Sequence, residues 1–192
     1  MEKVLFIKNL QEKFRSQDFF KNLTANALRV LTGLIILFSL ISWIKLWKVV
    51  FQLKNAEMVG GIIFQLLFIV GIYMVVHILL LSSGKILKLK KDKLFVFPII
   101  SEILRTLGEI FASFSVFVGV SGGILIWFAG RNSRGLLKSL PLIKYAGNHG
   151  WNFLGGVMFI INMFFAGLVG IIVFYAISEL IIHIHKIEKN TK

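Results

Sequence analysis

Ile100–Gly130 reads ISEILRTLGEIFASFSVFVGVSGGILIWFAG, an apolar run with ionisable residues crowded at one end and a tryptophan at the other. From Ile110 to Ala129 it carries no charge, and twenty helical residues at 1.5 Å each cover about 30 Å, the thickness of a bilayer's hydrocarbon. The stretch therefore predicts a transmembrane helix. Along it Gly108, Ala112, Ser115, Gly119 and Gly122/Gly123 recur at three- and four-residue steps, which places them on one face. In lipid such a small-residue face lets a second helix approach closely, so this helix is expected inside a bundle.

The rest of the chain agrees on class. Of its 192 residues 57% are hydrophobic and only 16% charged, and mean hydropathy is +0.83, more apolar surface than a soluble fold can bury. The absence of cysteine excludes disulfides, thiol redox chemistry and cysteine-held zinc or iron–sulfur sites. The net charge of +13 lies mainly beside hydrophobic runs, where it anchors helices to a membrane surface; no nucleic-acid partner is called for.

Working outward, the pattern predicts an all-α polytopic protein with four transmembrane helices arranged as two hairpins. The spans are placed at about residues 27–50, 58–81, 103–129 and 153–182, within a membrane domain of residues 25–192. Ahead of them, residues 1–24 put Val4, Ile7, Leu10 and Phe14 on one face, as expected of an amphipathic helix lying in the interface. Its apolar core is too short for a signal peptide, and no cleavage is expected. Gly84 opens the basic stretch containing Lys85, Lys88, Lys90, Lys91 and Lys93, and Pro98 marks the start of the third helix. The fourth apolar run exceeds the length of one crossing, so it is expected to emerge as helix near Glu179 and Lys186. FIVGIYMVV from Phe68 and GLVGIIVFY from Gly167 form a faint echo between the return helices of the two hairpins, of a kind that Val/Gly/Ile-rich spans also produce by chance.

Orientation follows the basic residues. With both termini cytoplasmic, 15 of the 22 Lys and Arg fall on the inner side and seven on the outer. Trp43, Trp47, Trp127 and Trp151 then form an outer aromatic belt.

Arg29, His77, Glu102, Arg105, Glu109, Glu179 and His183 come from all four predicted helices and lie toward the inner leaflet, where ionisable groups are costly unless they face inward and pair. Glu102, Arg105 and Glu109 share a face of the third helix, a spacing that lets Arg105 bridge both carboxylates. His77, Glu109 and Glu179 are the candidate proton or cation path. Glu179, His183 and His185 are the candidate divalent-metal set, although His183 and His185 point about 200° apart on a helix. His77 with His183 is the pair that a haem b would need, but nothing in the sequence specifies a porphyrin pocket, and no cofactor is assigned. No catalytic residue stands out, because the phosphate-loop, HExxH and GxSxG patterns are absent and no serine has a local base. Ser82, Ser83, Ser115 and Ser121 read as packing residues, and Gln65 and Asn162 as interhelical glue.

The lysines Lys85, Lys88, Lys90, Lys91 and Lys93 are expected to meet anionic lipid headgroups at the inner face. The reading that follows is an accessory or interaction subunit of a membrane complex, in contact with the bilayer and with other membrane subunits or with itself. A proton or cation carrier or channel subunit is the alternative, and a membrane-embedded metal-dependent enzyme a further one.

Overall fold

A computed structural model describes residues 17–89, 96–130 and 152–190, and those residues are helical apart from short turns. The four helices are α1 (Gln17–Val50), α2 (Ala56–Leu87), α3 (Val96–Ala129) and α4 (Phe153–Asn190), each long and apolar enough to cross a membrane. The protein is a multi-pass membrane protein of two helical hairpins, α1–α2 and α3–α4.

Every helix outruns the crossing, since 32 to 38 residues at 1.5 Å give about 50 Å or more. Residues 17–24, expected ahead of the first span, are continuous with α1, and residues 1–16 lie outside the described part. No glycine or proline interrupts this segment, and Lys21 fastens it by donating from Nζ to the Leu89 carbonyl just past the end of α2. The chain then tightens through Phe51, Gln52 and Leu53 and turns at Asn55, whose φ is 48°. Helix α2 continues past residue 81 because Ser82 and Ser83, read from sequence near the end of the span, bury their hydroxyls against neighbouring helices. Pro98 stands in the first turn of α3, where its missing N–H leaves no bond unmade. At α4 the side chain of Asn152 accepts from the Gly155 N–H at 2.8 Å and caps the helix.

Helix α3 is the centre, with half of its most apolar window buried, against 6% for α1. It lies between α2 and α4, and α1 rests on α2. The contact with α4 is the closest. A Cβ added at Gly123 would stand 2.9 Å from the Gly156 carbonyl, and one at Gly156 would stand 2.9 Å from the Gly123 carbonyl, so the two backbones touch. Farther along, Gly119 faces Met163 and Ile160, Gly167 faces Ser115 and Ala112, and Gly108 faces Phe174. The small-residue face expected of Ile100–Gly130 is this seam.

On its other side α3 meets α2 through aromatic rings. Phe64, Phe68, Phe114 and Phe117 cluster at centroid distances of 6.1–6.4 Å, over a core that includes Val118, Leu125 and Phe159. The glycines of the two echoing segments both receive a phenyl ring from α3, Gly71 that of Phe117 and Gly170 that of Phe111. Large apolar side chains such as Leu34, Leu37, Phe38, Val70 and Val169 are exposed all along α1, α2 and α4, as lipid-facing helices require. At the far end Trp43 meets Trp47 edge to face and Trp47 stacks on Phe51, while Trp127 lies on Phe153 at 5.3 Å and donates to its carbonyl at 2.9 Å. Trp151 lies outside the described residues.

Candidate functional site

The start of α1, the end of α2, the start of α3 and the last turns of α4 meet at one end of the bundle, here called the basic end. The polar side chains of this end form a belt that crosses the four helices in order. From α1, Arg29 donates Nε to Ser83 Oγ of α2 at 3.1 Å, and Ser83 donates to the Ala25 carbonyl at 3.1 Å. The next residue of α2, Ser82, bonds Thr106 of α3, whose hydroxyl donates to the Glu102 carbonyl at 2.7 Å. On α3, Ser101 and Ser178 of α4 join hydroxyls at 2.6 Å, and Arg105 donates Nε to Ser178 Oγ at 3.0 Å.

The charges at the centre of the belt are arranged differently from the sequence-based expectation. Arg105 does not bridge Glu102 and Glu109. Its guanidinium turns to α4, over the Tyr175 ring at 5.6 Å. The bridging cation is Lys85, whose Nζ lies 3.3 Å from Glu102 Oε1 and 3.8 Å from Glu109 Oε1. Glu109 Oε1 also accepts from the Tyr175 hydroxyl at 2.9 Å. Lys85 accordingly belongs to α2 and to an interhelical ion cluster, rather than to the loop. The reason is geometric: side chains on one helix face stand in a row, whereas a lysine from the adjoining helix reaches across to two carboxylates two turns apart. Glu102 is largely buried and Lys85 half-exposed, so the cluster sits at the rim of the bundle.

Sequence reasoning named Arg29, Glu102, Arg105 and Glu109 for this layer and missed Ser101, Thr106, Tyr175 and Ser178. A signal for Ser178 exists: Gly156, Gly167 and Ser178 recur every eleven residues, three helical turns, on the face of α4 that meets α3. Ser178→Ala is expected to leave both Arg105 Nε and the Ser101 hydroxyl without their partner and to destabilise the protein by about 1–2 kcal/mol. Reversible unfolding of detergent-solubilised protein checks it.

The other predicted residues stay outside the belt. His77 is exposed on α2, stacked on Tyr73 at 5.8 Å. Glu179 and His183 are exposed on α4, away from the face that carries Ser178. Among the described residues no hydrogen bond or ion pair links His77 or Glu179 to Glu109, whose partners are Tyr175 and Lys85. Among the described residues no three His, Asp or Glu side chains are grouped to hold a metal ion, and the side chain of His185 lies outside the description. His77 and His183, the pair considered for haem b, sit on helices that flank α3 from opposite sides. Lys88 is exposed at the end of α2, whereas Lys90, Lys91 and Lys93 lie outside the described residues.

Deeper in the membrane Gln65 of α2, almost fully buried, donates to the Trp43 carbonyl of α1 at 3.3 Å and so acts as glue; Asn162 is exposed on α4. Two apolar cavities open between α1 and α2. One of about 260 Å³ is lined by Ile36, Ser39, Leu40, Trp43, Ile69 and Ile72, and one of about 200 Å³ reaches on to Phe114 and Phe117 of α3. No family model matches the chain, and no curated protein or solved structure matches it either.

Proposed function

We propose that this four-span membrane protein is an accessory or interaction subunit, with both termini cytoplasmic and its basic end turned to anionic lipid at the inner face. The observation that carries the reading is how the polar belt is used: Arg29, Lys85, Glu102, Arg105, Glu109 and Tyr175 each direct a polar atom to a neighbouring helix. Groups used in this way fasten helices in a fixed order. The two cavities between α1 and α2 are apolar and offer an ion no hydrated route. Meanwhile α1 and α4 each leave a long apolar face uncovered, which suits contact with another membrane subunit or a second copy.

The carrier alternative rests on Glu109, whose Oε1 meets both the Tyr175 hydroxyl and Lys85. Reconstitution into liposomes loaded with a pH-sensitive dye separates the two readings. The expected result is proton flux no greater than that of protein-free vesicles, for the wild type and for Glu109→Gln alike. Flux by the wild type that Glu109→Gln abolishes would sink the accessory reading in favour of the carrier.

A further inference from the structure

Arg29 differs from the other cations of the belt. Its Nε is held by Ser83, and Ser83 is itself fixed to the Ala25 carbonyl, so the guanidinium is oriented before any ligand arrives. Of its five N–H donors that bond uses one. Among the described residues no carboxylate lies within ion-pair distance of it. Arg29 is also exposed, just ahead of the uncharged run from Val30 to Ile44 of α1.

Below it the surface is apolar and recessed. Arg29, Gly33, Ile36 and Leu40 follow at steps of four, three and four residues and so share one side of α1. A Cβ at Gly33 would meet nothing within 4 Å, which leaves open space along this side. Farther along the same side, Ile36 and Leu40 line the cavity that Trp43 of α1 and Ile69 and Ile72 of α2 complete. Ile36 is seven residues from Arg29, or about 10 Å along the helix, and Trp43 fourteen, or about 21 Å. The acyl chains of one leaflet cover about 15 Å, half of the hydrocarbon thickness. A phosphate at Arg29 thus puts an acyl chain at the depth of the cavity.

We infer that the α1–α2 crevice binds one anionic phospholipid, its phosphate on Arg29 and one acyl chain passing Gly33 into the cavity between Ile36 and Ile72. The inference rests on the anionic-lipid reading of the basic end and gives it a defined site. An apolar crevice alone takes any hydrocarbon chain. The fixed guanidinium selects a phosphate, and the exposed Lys88 on the adjoining helix end favours a lipid with net negative charge over a zwitterionic one.

Native mass spectrometry of the detergent-purified full chain, titrated with phosphatidylglycerol or phosphatidylcholine, tests it. One phosphatidylglycerol per chain is expected to be retained about tenfold more tightly than phosphatidylcholine, without displacement by inorganic phosphate. Arg29→Gln should remove that preference. Gly33→Leu, which fills the open space while keeping every belt bond, should weaken retention about tenfold, and Lys48→Gln at the opposite end should change nothing. Should Arg29→Gln prove unstable, Gly33→Leu alone decides. A phosphatidylglycerol preference that survives both Arg29→Gln and Gly33→Leu, that responds to Lys48→Gln, or that inorganic phosphate competes away overturns the site but leaves the anionic-lipid reading standing. Equal retention of the two lipids by the wild type overturns both.

Discussion

Gly156→Leu parts α3 from α4 and costs the protein about 3 kcal/mol, at the upper end of what overpacking usually costs. At this crossing the helix backbones are in contact, and the Cβ of any residue at position 156 would stand 2.9 Å from the Gly123 carbonyl and against the indole of Trp127. Neither can yield cheaply. The carbonyl belongs to the backbone of α3, and the indole is held between its stack on Phe153 and its hydrogen bond to the Phe153 carbonyl. Because helix association in lipid depends on close van der Waals contact rather than on expulsion of water, widening this point loosens the seam through Gly119 and Gly167 as well. Unfolding in mixed detergent micelles reads the loss, and a fluorophore pair across the α3–α4 hairpin reads the separation. Gly84→Ala is the matched control, since a Cβ there meets nothing within 4 Å. In a helix that change is expected to be neutral or to stabilise by up to about 1 kcal/mol. Equal damage by both substitutions would show that the crossing has no special closeness.

Lys85→Met is expected to be the most damaging change in the polar belt, and more damaging than removing either acid. One ammonium serves Glu102 and Glu109, so Glu102→Gln or Glu109→Gln leaves an ion pair intact, whereas loss of the lysine strands two carboxylates at the membrane edge. Breaking a fully buried pair costs about 3–5 kcal/mol. With Lys85 half-exposed and Glu109 about a quarter exposed, water screens part of the interaction, and about 1–3 kcal/mol is expected. The diagnostic result is rescue: adding Glu102→Gln and Glu109→Gln to Lys85→Met should recover most of the lost stability, because the penalty comes from uncompensated charge. A triple variant no more stable than Lys85→Met would mean that the lysine contributes through its packed stem alone.

The contrast between these two sites shows how much was legible in the chain. Small residues at helical spacing in Ile100–Gly130 announced a close seam, since in lipid few other uses of Gly108, Gly119 and Gly123 on one face compete with it. The number of crossings followed from apolar run length and the first hairpin from the short connection between the first two spans, while Arg29, Glu102, Arg105 and Glu109 marked a polar layer at one end of the bundle. Helix ends were less legible: α1 already includes residues 17–24 and α2 continues to Leu87, where Lys21, Ser82 and Ser83 bond outside their own helices, and local pattern carries no trace of those partners.

The sequence by itself determined a four-span helical membrane protein and the place of each charge along its helix, because apolar length and residue spacing act along one helix and need no neighbour. Only the tertiary structure decided which charges meet. Rotation of each helix about its own axis turns Lys85 toward Glu102 and Glu109, turns Arg105 toward Ser178, and leaves His77, Glu179 and His183 on outer faces. That rotation is set by contacts such as Gly123 on Gly156 and Phe117 on Gly71, which join residues far apart in the chain.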